Sequence, residues 1–379
     1  MLSTKNKTWV EISRSALFYN FQTLQKIVGK KVKVALVVKA NAYGHGLAEV
    51  VSILKNKTDI FAVDNIDEAF IIRKIDKTVK VLILGYTTKE NIKLTIENNF
   101  SFVVYSLDIL RYIISLKLRK KAKIHIKIET GLNRQGVEGK DLIKILSFVK
   151  KNADRIFLEG VYTHFANVED TLDSSFAQKQ LKRFKDALKI VRTWGFNPPL
   201  IHTAASAASF LYKESHFSMI RAGVALYGLW PSRETRIALK SKNKNISLKP
   251  VLTWKSIVAQ VKIVRKGESV GYGRTWISEQ TSKIAVIPAG YSDGFDRKLS
   301  NLGRVIVGGS YAPVIGRVAM NMIMVDITHI KGVNEGDEVV IIGKMGKLEV
   351  TADELAEKIG TINYEVISRI NPILPRIIV

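Results

Sequence analysis

Over its first 230 residues the chain alternates between short apolar, β-rich runs and longer segments with helical spacing. The β-rich runs are Lys33–Ala40, Ile60–Val63, Val79–Gly85, Phe100–Ser106, Lys121–Thr130, Leu158–Ala166, Leu200–Ser206 and Met219–Gly228. Helical segments follow at Leu47–Leu54, Ile66–Ile75, Lys89–Asn98, Leu107–Leu118, Lys140–Lys150, Phe176–Trp194 and Ala207–Tyr212. A strand followed by a helix, repeated in this way, predicts an α/β fold with a parallel sheet. Eight such strands are the number that closes a (β/α)8 barrel. The alternative is an open doubly wound sheet. Its dinucleotide turn needs GxGxxG spacing, which Lys39–Gly46 (KANAYGHG) lacks.

The pattern changes near residue 240. Ser241–Pro250 is polar and lysine-rich and reads as a linker. Val251–Val264, Lys283–Ala289, Arg304–Val307, Ala312–Ile315, Met322–Ile327 and Glu338–Ile342 are strand-like, with Gly, Asp and Asn between them. Only Ala352–Ile359 has helical spacing. The expectation is a barrel domain over 1–240 and a mostly β domain over 241–379. Trp9–Ile12 lies outside the repeat and could join either.

Composition removes several function classes. The 379 residues hold no cysteine, which excludes a Cys nucleophile and a Cys-ligated metal site. The six histidines show no HExxH or comparable spacing, so no metal is expected. Lys and Arg outnumber Asp and Glu by 59 to 34, a net charge of +25. Most of the basic residues are scattered, as in Lys179, Lys182, Arg183, Lys185 and Lys189; only Lys117–Lys123 and Ser241–Lys249 cluster. That distribution reads as solvated surface rather than a nucleic-acid footprint. The N-terminal MLSTKNKTWVEIS has no apolar core for a signal peptide, and no run approaches the ~18 apolar residues of a membrane span. A cytoplasmic protein is expected, with no membrane partner.

In a (β/α)8 barrel, chemistry sits at the C-terminal ends of the strands. Reactive side chains fall there on several strands. Lys39 follows four apolar residues, ALVV. A strand-end lysine commonly reaches out to solvent; one held among apolar groups becomes a Schiff-base candidate, because its ammonium is destabilised. In the fifth run Ile124, Ile126 and Ile128 share one face, and His125, Lys127 and Glu129 the other. With the isoleucines packed outward on helices, Lys127 and Glu129 would point inward, with Arg134 near in sequence. That fits a structural ion pair as well as a functional one. His164 fits a hydrogen-bonding role. Ser206 lies in the small-residue run HTAASAAS and Gly223 in IRAGVALYG, where backbone N–H groups can approach an anion. No G-x-S-x-G elbow or P-loop is present.

Taken together, these segments resemble the alanine racemases, the barrel-type pyridoxal-phosphate enzymes. VVKANAYGHG around Lys39 resembles their cofactor-lysine motif. It is followed, in family order, by THFA (Thr163–Ala166), HTAASAAS (His202–Ser209), IRAGVALYG (Ile220–Gly228), GYGRTW (Gly271–Trp276), AGYSDGF (Ala289–Phe295), GRVAMNMIMVD (Gly316–Asp326) and NYE (Asn363–Glu365). The resemblance implies that Lys39 holds pyridoxal phosphate and is one of two catalytic bases. Tyr272 would be the other, reaching in from the partner in a homodimer. Tyr43, Ser206, Gly223, Val224 and Tyr364 match phosphate contacts, and Arg221 the residue facing the pyridine nitrogen, with His164 orienting it. Arg134 and Met320 match contacts to the carboxylate of alanine. Arg134 would be held by Lys127, which the family often carries as a carbamate. The implied activity is interconversion of L- and D-alanine for cell-wall synthesis. Racemases of serine or of broader specificity share the plan; so do decarboxylases, which usually carry a Cys near the second-domain site. The chain departs from the family pattern at Asn133, Ala205, Ala319 and Asn321, where Gly, Asn, Cys and Asp are common.

Overall fold

A computed structural model describes residues 6–242 and 245–379. Residues 243 and 244 of the expected linker, and the first five of the N-terminal stretch, lie outside the described residues. The chain divides into two compact units. One holds the described residues up to Ala16, Asn41–Glu49 and Pro250–Val379; the other holds Leu17–Ala40 and Val50–Lys249.

The larger unit is built on eight parallel strands: Lys33–Val37, Ile60–Val63, Lys80–Ile83, Ser101–Val104, Ala122–Lys127, Ile156–Tyr162, Leu200–His202 and Met219–Ala222. Numbered one to eight, they are hydrogen-bonded in the order 7-6-5-4-3-2-1-8. Strands seven and eight meet through two backbone bonds, Ser218 N–H to Ile201 O (3.1 Å) and Arg221 N–H to Ala204 O (2.9 Å). The ring is therefore nearly closed, as the eightfold alternation predicts. Strands such as IFAV and SFVV are buried at every position, as a sheet covered by helices on one side and filled on the other requires.

Three details differ from expectation. Met219–Gly228 is not one strand: it ends at Ala222, and Val224–Tyr227 form a 3-10 turn closed by Gly228 at φ +81°. A helix, Arg233–Ser241, follows it, capped by the Ser232 hydroxyl accepting from Thr235 N–H at 3.1 Å. Only Thr235 and Leu239 of that helix are buried, so its apolar signal is faint. A second helix, Arg14–Val28, precedes the barrel; Leu17, Phe21, Leu24 and Val28 form its buried face. Its buried Asn20 donates to Leu226 O (3.1 Å) and Lys249 O (2.8 Å) and accepts from Lys249 N–H (2.9 Å), so both polar atoms of its side chain are satisfied.

The second unit is mostly β. The expected run Val251–Val264 is two strands, Leu252–Ile257 and Gln260–Val264, which occupy separate places in a ten-stranded sheet. Between them the backbone switches partners: Val258 N–H bonds Asp337 O and Ala259 N–H bonds Val286 O. Thr8–Ile12 pairs antiparallel with Leu252–Ile257 and parallel with Arg376–Ile378, which settles where Trp9–Ile12 belongs and corrects the expected 1–240 boundary for the chain's first residues. Besides Ala352–Ile359, a short helix spans Asn363–Ser368.

A two-stranded hairpin pairs Ser269–Val270 with Trp276–Ile277 and carries Tyr272 in its loop. Val264, Val270, Ile284 and Ile315 form a small core beneath it, with Trp276 packed on top. Each such buried aliphatic side chain contributes about 1.5–3 kcal/mol. In the loop Gly273 has φ +69°, a backbone conformation that glycine adopts at little cost.

Candidate active site

Val34 to Val38 are buried, and the chain then makes an uncommon turn. Ala40, Asn41, Ala42 and Tyr43 have φ of 52, 53, 52 and 54°. Four consecutive residues are thus in left-handed helical conformation, which costs about 1–2 kcal/mol for each L-residue. Local bonds offset this. His45 Nδ1 lies 3.1 Å from both Ala42 O and Tyr43 O. Carbonyls only accept, so Nδ1 carries the proton. The Asn41 side chain accepts from Leu47 N–H at 2.8 Å. Arg376 donates to Gly44 O at 2.9 Å. Gly44 itself is required, because a Cβ would sit 1.9 Å from Ile367 O. Strain maintained by this many bonds is a mark of functional segments.

Lys39 stands at the start of this turn. Its side chain is 42% exposed and its ammonium lies 4.0 Å from Asp64 Oδ1. The apolar enclosure expected from ALVV therefore stops at Val38. The buried lysine is Lys127, at 4% exposure. Burial, then the charges of Arg134 and Arg221, lower it to a pKa of about 8, with Lys39 adding to the effect and Glu129 opposing it.

The expected sorting of strand five is corrected in part. Ile124, Ile126 and Ile128 are buried, but so are His125 and Lys127, because both faces of a barrel strand are covered. Glu129 does not enter the interior with Lys127; its carboxylate accepts the Gly131 N–H and braces its own loop. In that loop Asn133 has φ +53°, a conformation asparagine tolerates best after glycine, which accounts for that departure from the family pattern.

Arg221, 3% exposed, is the hub of the barrel's polar interior. One terminal nitrogen lies 2.7 Å from His202 Nδ1; the other donates to Thr163 O (3.0 Å) and Thr203 O (2.9 Å) and lies 3.0 Å from His164 Nδ1. A guanidinium can only donate, so both imidazoles accept and are neutral. Burial first, then Arg221, Arg134, Lys127 and Lys39, push His164 down to about 3. Burial and Arg221 hold His202 far below the usual range. Four cations thus act on His164, a field that favours an anionic ligand.

Ser206 adds an oriented donor. Its Oγ accepts from Gly223 N–H (3.2 Å) and Ala225 N–H (3.3 Å), which occupies both lone pairs and commits its own proton to donation. Val224 is buried beside them. Ala205 offers no side-chain cap to the turn beginning at Ser206.

The second unit holds the remaining candidates. The rings of Tyr43 and Tyr364 lie 6.1 Å apart. Met320 is exposed, and its carbonyl accepts from Ser292 N–H at 2.9 Å. Asn321 Nδ2 lies 3.4 Å from Asp293 Oδ2, an approach the acidic residue common in the family would not favour. Tyr272 is 72% exposed. Sequence reasoning did not single out His202, His125 or Glu159 as a network with Arg221. They lie on four different strands, and no local spacing joins them.

The neutral histidines make stability acid-sensitive. His45 titrates near 4 and His164 near 3, mainly through burial, and His202 lies lower than its ordinary value too. Unfolded histidines protonate near 6.5. Below that pH the unfolded chain binds protons the native state refuses, so stability falls as pH falls. Lowering pH from 7.5 to 5.5 should remove about 4 kcal/mol, read as a lower urea midpoint; an unchanged midpoint would contradict these neutral states.

Comparison with known proteins agrees with this geometry. Residues 12–231 match the alanine racemase N-terminal domain family and residues 251–378 the alanine racemase C-terminal domain family. An alanine racemase from Leptospira interrogans is 38% identical over 375 residues, 98% of this chain and 96% of that protein. One from Methanococcus maripaludis is 38% identical, covering 97% and 98%. Among solved structures, the Bacillus anthracis alanine racemase with bound L-Ala-P superposes with a TM-score of 0.93 at 33% identity, covering 99% of this chain and 96% of that one. The Clostridium difficile alanine racemase in complex with cycloserine gives 0.89 at 32% identity, covering 99% and 96%. The chain belongs to the alanine racemase family.

Proposed function

We propose that the barrel mouth racemises alanine with Lys39 and Tyr272 as its two bases. The family activity is the pyridoxal-phosphate-dependent interconversion of L- and D-alanine, which supplies D-alanine to cell-wall peptidoglycan. When bound, pyridoxal phosphate supplies a conjugated electron sink that acidifies the α-C–H of alanine. The residues fit it: the oriented Ser206 hydroxyl suits its phosphate, and the neutral His164 and donor-only Arg221 suit its ring and ring nitrogen.

Each side chain then has a definite task. Ser206 donates its hydroxyl proton to the phosphate, held for that by Gly223 N–H, and Val224 N–H joins it; the family resemblance adds the phenols of Tyr43 and Tyr364 to that set. Arg221 faces the pyridine nitrogen and does not release a proton to it. His164 holds the guanidinium. Arg134 and Met320 fix the substrate carboxylate. The Lys39 amine moves the α-proton on one face and the Tyr272 phenol on the other, so either enantiomer reacts. Lys127, with a pKa of about 8, has enough neutral amine to take up carbon dioxide, releasing one proton and becoming an anion beside Arg134. The observation that carries the reading is the gathering of Lys39, Lys127, Arg134 and Arg221 around a neutral His164.

Tyr272 stands exposed on a braced hairpin, which supports a homodimer in which the C-terminal unit of one chain supplies the partner's second base. Among the described residues no helix is long and apolar enough to cross a membrane, in keeping with a cytoplasmic site of action.

The direct experiment is an absorbance spectrum of the purified protein with chiral analysis after incubation with L-alanine. A visible cofactor band and D-alanine formation are expected; a protein that takes up no added pyridoxal phosphate refutes the reading. Arg221→Glu tests the ring-nitrogen assignment. A carboxylate there favours a protonated ring, so racemisation should slow by at least about tenfold and side transamination should grow relative to it. An unchanged ratio of the two products would remove Arg221 from that role.

A further inference from the structure

The interior of a (β/α)8 barrel is ordinarily layered with valine, isoleucine and leucine. Here one stretch of it is ionisable. Glu159, His125, His202 and Arg221 are each at most 3% exposed, and they come from strands six, five, seven and eight. Replacing an apolar layer with charged and polar groups costs stability unless every group is satisfied. These are connected end to end. Lys80, on strand three, lies 3.6 Å from Glu159 Oε1. Ser101, on strand four, donates to Glu159 Oε2. His125 Nε2 lies 3.4 Å from the same oxygen. His125 Nδ1 lies 2.9 Å from His202 Nε2, and His202 Nδ1 lies 2.7 Å from Arg221. Six of the eight strands contribute one member each.

The two ends of this chain fix every proton in it. Burial opposes ionisation of Glu159, but the hydrogen bonds from His125 and Ser101 and the nearby Lys80 ammonium hold it below the usual carboxylate range, so it is a carboxylate and only accepts. Arg221 only donates. His125 must therefore donate from Nε2 to Glu159, leaving Nδ1 as an acceptor. His202 must donate from Nε2 to His125, leaving Nδ1 to accept from Arg221. No other neutral arrangement satisfies all three links. The Tyr162 ring stacks on His202 at 4.7 Å with 7° between planes, so the imidazole cannot flip to exchange its nitrogens.

We infer that Glu159 and His125 are positioning residues for the racemase reaction: through the tautomer of His202 they aim the Arg221 guanidinium and hold it as a fixed donor in the site. The inference rests on the proposed assignment of Arg221. An acceptor-only terminus excludes the reversed chain; an amide there can donate as well as accept, so a reversed chain, in which His202 carries its proton on Nδ1 and loses its bond from Arg221, becomes a competing state. The bottom of the barrel thereby sets the donor geometry at its mouth.

The test uses the whole protein and begins without cofactor. In the wild-type apoprotein labelled with 15N-histidine, His202 and His125 should both appear as neutral rings protonated on Nε2. A proton on Nδ1 of His202, or a cationic His202, overturns the inference without any variant. Glu159→Gln should give mixed His202 tautomers, and the loaded enzyme should lose roughly tenfold or more in kcat with KM changed less than about twofold, because orientation rather than affinity is altered. Glu159→Asp, which restores an acceptor-only end, should recover part of both signals. If Glu159→Gln leaves the His202 tautomer and kcat unchanged, or lowers activity only in proportion to the folded fraction while the tautomer persists, the two residues are merely structural. Failure of the assignment of Arg221 itself reads differently: the product ratio of Arg221→Glu would be unchanged while the apoprotein tautomers remained as described.

Discussion

Lys39→Ala should lower racemisation by about 10⁴-fold or more, the largest loss expected of any single substitution in this chain. The change removes the covalent tether for the cofactor and the base for one face of the substrate together, and no neighbouring amine replaces it. Lys127, the other lysine of this region, is buried at 4% exposure and its amine is committed to the interior. Lys39 is half-exposed beside Asp64, so its amine is open to a carbonyl carbon. Borohydride reduction of the loaded wild type should attach the cofactor permanently to the peptide carrying Lys39. The chain is rich in lysine, which makes the identity of that peptide decisive. Label on a different lysine, or measurable racemisation by Lys39→Ala, would remove it from its role.

Mixing two inactive variants should restore activity. Lys39→Ala and Tyr272→Ala homodimers are each expected to be nearly inactive, since each of their sites lacks one base. If Tyr272 serves the neighbouring subunit, a hybrid dimer has one site with both defects and one with neither. Random exchange makes about half the dimers hybrids, each with one good site of two, so activity should return to about a quarter of wild type. The measurement is D-alanine formation before and after mixing, with exchange shown independently by differently tagged chains. Demonstrated exchange without recovered activity would place both groups in one chain, or remove Tyr272 as the second base.

The barrel was legible in the sequence because its signal is repeated. Each parallel strand is buried on both faces and reads as an apolar run, and eight runs, the first seven followed by helices, leave few alternatives. Single elements were harder. Arg233–Ser241 buries only Thr235 and Leu239, too little to stand out in a charged segment. Val251–Val264 reads as one run because the change of sheet partners at Val258 and Ala259 leaves no Gly or Pro behind it. At the site, Lys39 and Ser206 could be placed at strand ends from periodicity. Their roles came from the family motifs. The Glu159–His125–His202 chain was invisible because its members meet only across the barrel, through strands far apart in sequence. The conformation of Ala40–Tyr43 was equally hidden: alanine carries no local preference for positive φ, and the turn exists because His45, Asn41 and Arg376 hold it.

That turn has a chemical irony with a practical side. A mirror-image residue prefers positive φ for the same steric reason that an ordinary one avoids it. Ala40 and Ala42, at φ 52°, therefore sit in the backbone shape native to D-alanine, in a protein whose family makes that compound. Ribosomal synthesis admits only the L-form, so the fold holds two L-alanines in a posture their enantiomers would adopt unaided. A semisynthetic chain with D-alanine at both positions would keep each methyl group clear of the following carbonyl and relax the segment by about 1–2 kcal/mol per residue. The product of the reaction would then be the better building block for the loop that follows its own catalytic lysine.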